Sequence, residues 1–463
     1  MSGRMRVACV QLRARDVSES ERALAEAVSA AERGAAEADL VVLPEATYPG
    51  YVLHNAEPHL DESMYAKVRE AFAQVARKAE KWIAVGLARP EGGRLYNSAV
   101  LLAPDGSVAG RTDKTFLWHF DGLWFDPGNV GEVARTAWGD VGMFVCADAR
   151  MVEVPRTVAI RGARLLLDPT ALVLSPVGTN AQLEFMLAAR AWENGAYLAV
   201  ANKCGVEAGI AEYAGRSAIL DPFGARLAEA GDEDPEIITA TIDLAGASGP
   251  PILRVPDRYS ELAMPVDELP IARVLSSRPP ATTLRLVMLG PDAQDAERML
   301  RELRGDVAVG PGASDLEGAI VPDGRGFRSD ARDRRSGHIV EVSGIRVGLL
   351  WGQHGLVPEE CRALMLRGAA VVLWNVGEVD VPEFVAQTRA TENAIFMVLV
   401  SPSGGWQAYG PNGQPVGAAR AGVPGALLDL PVALTWQKEM APGTDVVRGR
   451  RPEEYRDLVA PPS

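Results

Sequence analysis

Apolar, β-branched runs alternate with stretches of helical periodicity through the first half of this chain, and no other feature restricts its fold as much. Met5–Leu12, Asp39–Leu43, Trp82–Ala88, Ser98–Leu102, Val141–Cys146, Arg164–Asp168 and Ala196–Ala201 predict buried strands. Between them, Glu19–Ala36 (with Ser18 as N-cap), Met64–Lys81, Val154–Gly162 and Thr179–Asn194 predict helices, and Pro104–Asp105–Gly106 predicts a turn. Strands this apolar offer no polar face to water, so helices must cover them. The expected fold is therefore an α/β layered domain. The alternation ends near Val266, and Asp267–Ala281 predicts a Pro- and Ser-containing connection.

The second half repeats the first in outline. Val141–Cys146 aligns with Val347–Gly352 at a spacing of 206 residues (347 minus 141), which also matches Glu153 to Glu359 and Arg161–Gly162–Ala163 to Arg367–Gly368–Ala369. With a small gap, RAWEN (Arg190–Asn194) meets RATEN (Arg389–Asn393). The turn DPFG at Asp221 then meets GPNG at Gly410, and TIDL ending at Leu244 meets LLDL ending at Leu430. PDRYSEL around Tyr259 meets RRPEEYRDL around Tyr455. Matches this numerous in one order predict a duplication. Shared strand–helix grammar is the competing explanation. The copies are unequal: Gly352 stands where Cys146 does, and the stretch around Lys114 has no counterpart. Leu43–Pro44–Glu45 aligns with Val321–Pro322–Asp323, so an acid is expected to survive there.

The chain has 463 residues, 47% of them hydrophobic, enough for two or more domains. Its net charge of -14 disfavours nucleic acid and anionic membranes as partners. No run approaches about 18 apolar residues, so no membrane span is expected. The N-terminus MSGRMRVACVQLRARD enters a strand directly, without a signal stretch. Cys9, Cys146, Cys204 and Cys361 have neither metal-ligand nor disulfide-scaffold spacing, so the expected setting is cytoplasmic and reducing.

Three residues carry chemical promise. Cys146 ends an apolar strand just before a helix, where the first N–H groups favour negative charge and a thiolate. Glu45 follows Val41–Val42–Leu43–Pro44, at the carboxyl end of a buried strand, where open α/β sheets usually bind ligands. Lys114 lies beside Phe116, Trp118, Phe120, Trp124 and Phe125, an aromatic wall near which a lysine can pair with a carboxylate or hold an oxyanion. Taken singly, an inert buried cysteine, a solvated strand end and a surface lysine are the commoner cases.

Together these segments resemble the nitrilase, or carbon–nitrogen hydrolase, superfamily. The resemblance rests on VVLPEATYPGY around Glu45, GRTDKTFLW around Lys114, GMFVCADARMVEVPR around Cys146 and the helix Arg190–Asn194. It covers the first half almost end to end. It implies an α-β-β-α sandwich and amidase- or carbamoylase-like hydrolysis of a small amide or carbamoyl substrate, without cofactor or metal. Glu45 would be the general base, Cys146 the nucleophile, and Lys114 with the Ala147 N–H the oxyanion site. Many amidases of the family carry a further glutamate after the lysine. Asp121, one methylene shorter, stands nearest that place as a possible second acid. Asp148, two places after Cys146, follows the amidase and carbamoylase habit rather than the nitrilase one.

Trp118, His119, Trp124, Asp148 and Thr170 are the candidate substrate contacts, with Arg150 and Arg190 expected in structural ion pairs. The expected organisation is an active domain 1–267, a linker 268–282 and a smaller, inactive repeat 283–463. The two would form a pseudo-dimer within one chain, with further homo-oligomerisation open. Two alternatives remain at this level: a nitrilase or acyl-transferring relative with the same triad, and a non-catalytic pseudoenzyme that binds a metabolite or protein.

Overall fold

The computed structural model describes residues 4–119, 121–174, 180–245, 249, 253–277, 281–314, 317–323, 326–329, 332–334 and 337–461. Phe120 and Thr179 lie outside these residues. The chain divides into two compact units. The first is Met1–Ile252 with Ala441–Thr444 and Gly449–Leu458, and the second is Leu253–Met440 with Asp445–Arg448 and Val459–Ser463. The division thus falls before the expected 267. The 268–282 linker is also not irregular throughout, because a helix occupies Pro270–Ser277, with Ile271 buried.

In the first unit the strands are β1 Arg4–Arg13, β2 Leu40–Val42, β3 Trp82–Glu91, β4 Arg94–Leu102, β5 Val108–Asp113, β6 Ala134–Arg135 and β7 Asp140–Met143. They continue as β8 Leu165–Pro169, β9 Tyr197–Ala201, β10 Lys203–Glu207, β11 Ala211–Ala214, β12 Ala218–Leu220, β13 Arg226–Glu229 and β14 Glu236–Asp243. One sheet runs β11-β10-β1-β2-β3-β4-β5, with β14 also on β1. The other runs β13-β12-β9-β8-β7-β6. The helices are α1 Ser20–Glu37, α2 Glu62–Ala79, α3 Asp121–Trp124, α4 Glu153–Ile160 and α5 Leu187–Asn194.

Helices α1 and α2 cover the first sheet, and α4 and α5 cover the second, while β1, β2 and β3 face β8 and β9 between the sheets. The layers are therefore α-β-β-α. Alternation explains the order: β1, β2 and β3 are parallel, so each needs a crossover, and α1 and α2 supply them with apolar faces. Ala27, Ala30, Ala31, Val68, Phe72 and Ala76 pack on Ala8, Val41, Val85 and Val100. Gly34 belongs to the same contact, since a Cβ there would lie 3.0 Å from Val41.

The second unit holds β15 Leu284–Leu289, β16 Val307–Val309, β17 Val321–Asp323, β18 Gly326–Ser329, β19 Arg332–Arg334 and β20 His338–Val342. Its remaining main strands are β21 Ile345–Trp351, β22 Val371–Asn375, β23 Phe396–Val400, β24 Trp406–Tyr409, β25 Pro415–Ala419 and β26 Gly425–Leu430. The six-stranded sheet runs β20-β21-β22-β23-β24-β25. Its strand senses match those of β6-β7-β8-β9-β12-β13 one for one. Likewise β26, β15 and β16 pair as β14, β1 and β2 do. A parallel bridge from Val309 to Ile320 leads into β17, and β17-β18-β19 form an antiparallel meander like β3-β4-β5.

That topology overturns one expected alignment. The strand matching β2 is β16, whereas Asp323 ends β17, which takes the place of β3. After β16 come Gly310, Pro311, Gly312, Ala313 and Ser314, none of them an acid. The apolar-Pro-acid triplet shared by Leu43–Pro44–Glu45 and Val321–Pro322–Asp323 falls at strands of different rank in the two units.

Candidate active site

Glu45, Lys114 and Cys146 reach the site from three different elements. Glu45 follows β2, and close packing sets its backbone. At Gly86 on β3, a Cβ would lie 2.5 Å from both Glu45 Cα and Pro44 O. The Gly86 N–H donates to Pro44 O at 3.1 Å, and Thr47 N–H donates to Gly86 O at 2.8 Å. Lys114 follows β5, its N–H held by Asn97 O at 2.7 Å. Cys146 follows β7 in the left-handed region, with φ of 51°. A non-glycine residue tolerates that conformation only where its surroundings enforce it. Here the Cys146 N–H donates to Asp168 Oδ1 at 2.7 Å, and Gln182 Nε2 donates to Cys146 O at 2.8 Å. Gln182 opens a π-helical turn, Gln182–Met186, where the sequence predicts regular helix.

Glu45 and Lys114 are fully buried, and Cys146 is 6% exposed. Lys114 Nζ lies 2.7 Å from Glu45 Oε1 and 2.6 Å from Asp121 Oδ2. Asn97 Nδ2 donates to Glu45 Oε1 at 2.6 Å and to Asp121 Oδ1 at 3.3 Å. Asp121 is thus drawn into the same cluster despite its shorter side chain. Tyr51 stands with its ring centre 5.8 Å from Lys114 Nζ, and its hydroxyl donates to Trp118 O at 3.3 Å.

Electrostatics assign resting protonation. Burial opposes the Lys114 charge, but Asp121, Cys146 and Glu45 outweigh it and hold the amine well above its ordinary range. Burial, reinforced by Glu45, drives the Cys146 thiol well above its usual value, although Lys114 pulls the other way. At rest the Cys146 side chain is therefore a thiol. This corrects the expectation that the helix field alone would favour thiolate: desolvation beside a carboxylate is the larger effect. Asp121 is also raised, by burial first, with Lys114 opposing.

The candidate substrate contacts separate. Thr170 is buried near Cys146. Trp118, His119 and Trp124 are half-buried on the loop after Lys114, and Trp124 packs edge-on to His54 at 5.4 Å. Asp148 is different. Its Oδ1 accepts from Thr115 N, Thr115 Oγ1 and Phe116 N at 2.7–3.0 Å, and its Oδ2 accepts from Val145 N at 3.1 Å. Those bonds make it a brace between the lysine loop and the cysteine turn, not a substrate contact. Burial nevertheless pushes its carboxyl up to about 6, against those bonds.

Arg190 fulfils its structural expectation, pairing with Glu193 and donating to Ala149 O at 2.6 Å. Arg150 does not. Its guanidinium lies 4.4 Å from the Trp118 ring centre and makes no ion pair with any described carboxylate, and burial lowers it to about 10. Sequence reasoning also passed over Asn97, Tyr51 and Gln182. Tyr51 falls inside the VVLPEATYPGY segment, a signal available beforehand. Asn97 and Gln182 sit in ordinary strand and helix patterns and carried none.

At the matching turn of the second unit, Gly352 has φ of 52°. Trp374 is fully buried there, its Nε1 donating to Gly352 O at 2.9 Å. A Cβ on Gly355 would lie 2.0 Å from that ring. The turn is left-handed, as at Cys146, and an indole is packed beside it. No group of three metal-ligating side chains occurs among the described residues, and none of their helices is long and apolar enough to cross a membrane.

Residues 6–249 match the family described as Carbon-nitrogen hydrolase. The chain is 30% identical over 240 residues to an (R)-stereoselective amidase of a Pseudomonas species, covering 52% of this chain and 86% of that protein. It is 33% identical over 211 residues to a nitrilase of Pyrococcus abyssi, covering 45% and 78%. The omega-amidase NIT2 of Xenopus tropicalis is 29% identical over 225 residues, covering 46% and 79%. Among solved structures, an amidase from Nesterenkonia sp. is similar at 30% identity over 52% of this chain and 91% of that one, with a TM-score of 0.48.

Proposed function

The chain belongs to the carbon–nitrogen hydrolase family and is a hydrolase of non-peptide C–N bonds, and we propose that it acts on a small amide or carbamoyl substrate through a Cys146 thioester. The observation that carries this reading is one buried cluster: Lys114 Nζ within 2.7 Å of Glu45 and 2.6 Å of Asp121, beside a cysteine held at positive φ.

In the proposed cycle Glu45 takes the Cys146 proton as sulfur attacks the carbonyl carbon. This suits a thiol that burial keeps protonated until substrate arrives. The tetrahedral oxyanion is held by Lys114 and the Ala147 N–H, in the first turn of the 3-10 segment Cys146–Arg150. As the C–N bond breaks, Glu45 returns the proton to the leaving nitrogen. Water, deprotonated by Glu45, then attacks the thioester, releasing the acid and restoring the thiol. Asp121 and Asn97 orient Lys114 and Glu45. Thr170 borders the acyl group, and Trp118, His119 and Trp124 line the approach. Arg150, stacked on Trp118 without a carboxylate of its own, favours substrates with an anionic end.

An ammonia-release screen over amides, ureides and nitriles, with and without a carboxylate, tests the reading. Trapped with a good substrate, Cys146 gains the mass of the acyl group, and Cys146→Ala gives neither adduct nor ammonia. Turnover undiminished in Cys146→Ala would sink it.

The second half fits a degenerate repeat of the same fold, giving an intrachain pseudo-dimer with one active site. Support comes from the matched strand order and the left-handed turn kept at Gly352. Side-chain bonds recur as well. Arg156 donates to Glu193 O as Arg362 does to Glu392 O, and Arg190 pairs with Glu193 as Arg389 does with Glu392. An experimental structure in which the halves meet through surfaces other than the helices after Cys146 and Gly352 would refute the pseudo-dimer.

A further inference from the structure

The loop from Lys114 to Val130 carries the lysine, Trp118, His119 and Asp121, and residues more than 300 positions later hold both its ends. His119 stands at φ of 46°, in the left-handed region where a non-glycine residue carries strain. Its N–H donates to Thr444 Oγ1 at 2.8 Å, and the Thr444 hydroxyl donates onward to Leu117 O at 3.4 Å. Thr444 is buried. One residue along, Trp118 N–H donates to Asp121 Oδ2 at 2.8 Å, the oxygen that contacts Lys114 Nζ. At the far end, Val130 N–H donates to Glu454 at 3.2 Å, and Arg451 donates to Gly128 O at 3.3 Å. Gly128 N–H in turn reaches Lys114 O at 2.8 Å.

We propose that Thr444 is a positioning residue for the active site: by pinning the strained His119 turn, it sets the Asp121 carboxylate against Lys114. The proposal rests on the reading of Lys114 as oxyanion holder. Its physical basis is a short path of bonds. Without the hydroxyl, His119 N–H loses its acceptor and the turn relaxes toward negative φ. Trp118 then no longer holds Asp121. Lys114, balanced between two carboxylates, shifts toward Glu45 and weakens both the oxyanion site and the base. The consequence is that a residue more than 300 positions along the chain, in a segment that belongs to the first unit, is needed for turnover.

The test uses the full-length chain. Thr444→Val keeps the shape and removes the hydroxyl, and Thr444→Ser restores it. We expect Thr444→Val to lower kcat about tenfold, as loss of a hydrogen bond does, with KM changed by less than about threefold and Tm nearly unchanged. Thr444→Ser should recover most of kcat. Alkylation of Cys146 by iodoacetamide gives a readout that needs no substrate. Its pH profile should move to higher pH in Thr444→Val, since Lys114 opposes the rise of that thiol. Wild-type kcat and an unmoved alkylation profile in Thr444→Val would overturn the proposal, as would equal losses in the Val and Ser variants. A wild-type protein inert to every amide, ureide and nitrile would count against the amidase reading instead, while the alkylation comparison still decides the role of Thr444.

Discussion

Cys146 combines two properties that pull apart. Its turn is strained so that the sulfur is presented, yet burial and the nearby Glu45 keep the proton on it. Reactivity toward a simple alkylating agent should therefore follow the small thiolate fraction. Followed by mass spectrometry of its own peptide, iodoacetamide labelling of Cys146 should rise about tenfold per unit from about pH 7 to about pH 9 without levelling. A plateau near neutrality would reveal a preformed thiolate and contradict the electrostatics. Asp121 answers a different question, whether a carboxylate one methylene short can serve here. With its oxygen 2.6 Å from Lys114 Nζ, Asp121→Asn should cost roughly a hundredfold in kcat/KM, by about 3 kcal/mol of lost charge pairing in a dry site. Initial rates of ammonia release measure it.

At the scale of elements, close backbone approach is what sets the site. Gly86 lets β3 lie against the chain leaving β2, and Gly86→Ala would place a methyl group 2.5 Å from Glu45 Cα. No side chain can yield there, so the backbone must. We expect about 1–3 kcal/mol of destabilisation with a disproportionate loss of kcat, read by thermal unfolding and steady-state rates. In the second unit, the buried Lys438 donates to Asn393 O and Ala394 O at 2.8 and 2.9 Å, closing the C-terminal end of helix Glu383–Asn393. Burial first, then the Arg362 charge, lowers its amine to about 7. The unfolded amine keeps its proton up to about pH 10, so between these values unfolding takes up a proton. Stability should then rise with pH over about 7 to 10 by at most about 1.4 kcal/mol per unit, and the cost of the buried charge is present in full below that window. Lys438→Met should flatten the rise, as seen in Tm across that range.

Over the whole molecule, chain path matters more than chain order. The tail around Tyr455 belongs to the first unit and the tail around Tyr259 to the second. Each tyrosine is buried with its hydroxyl accepting a backbone N–H four residues back, Arg451 and Val255 respectively. The anchoring pairs repeat too: Arg161 with Asp457 in one unit, Arg367 with Glu261 in the other. Each tail is therefore housed in the unit other than the one whose strands precede it. Arg450 forms a fully buried pair with Glu153 at the start of α4. Arg450→Met should cost about 3–5 kcal/mol, because it leaves a carboxylate buried without that cation. Hydrogen exchange should show α4 opening first. Unchanged protection of α4 would mean that the tail is dispensable.

The layered α/β architecture was legible in the sequence, because buried strands and covering helices each leave a local period. Glu45, Lys114 and Cys146 were legible as candidates, since each sits in a dense segment at the end of a strand, and the structure brings Glu45 and Lys114 within 2.7 Å. The place of Asp323 was misread, because a triplet can recur on a neighbouring strand and only pairing register tells the two apart. Asn97, the stacking of Arg150 on Trp118, the brace made by Asp148 and the grip of Thr444 on His119 were decided by tertiary structure alone. These are contacts across tens to hundreds of residues, made by side chains whose local patterns look ordinary. Sequence periodicity records which face a residue turns toward the core; what it meets there depends on how the elements pack.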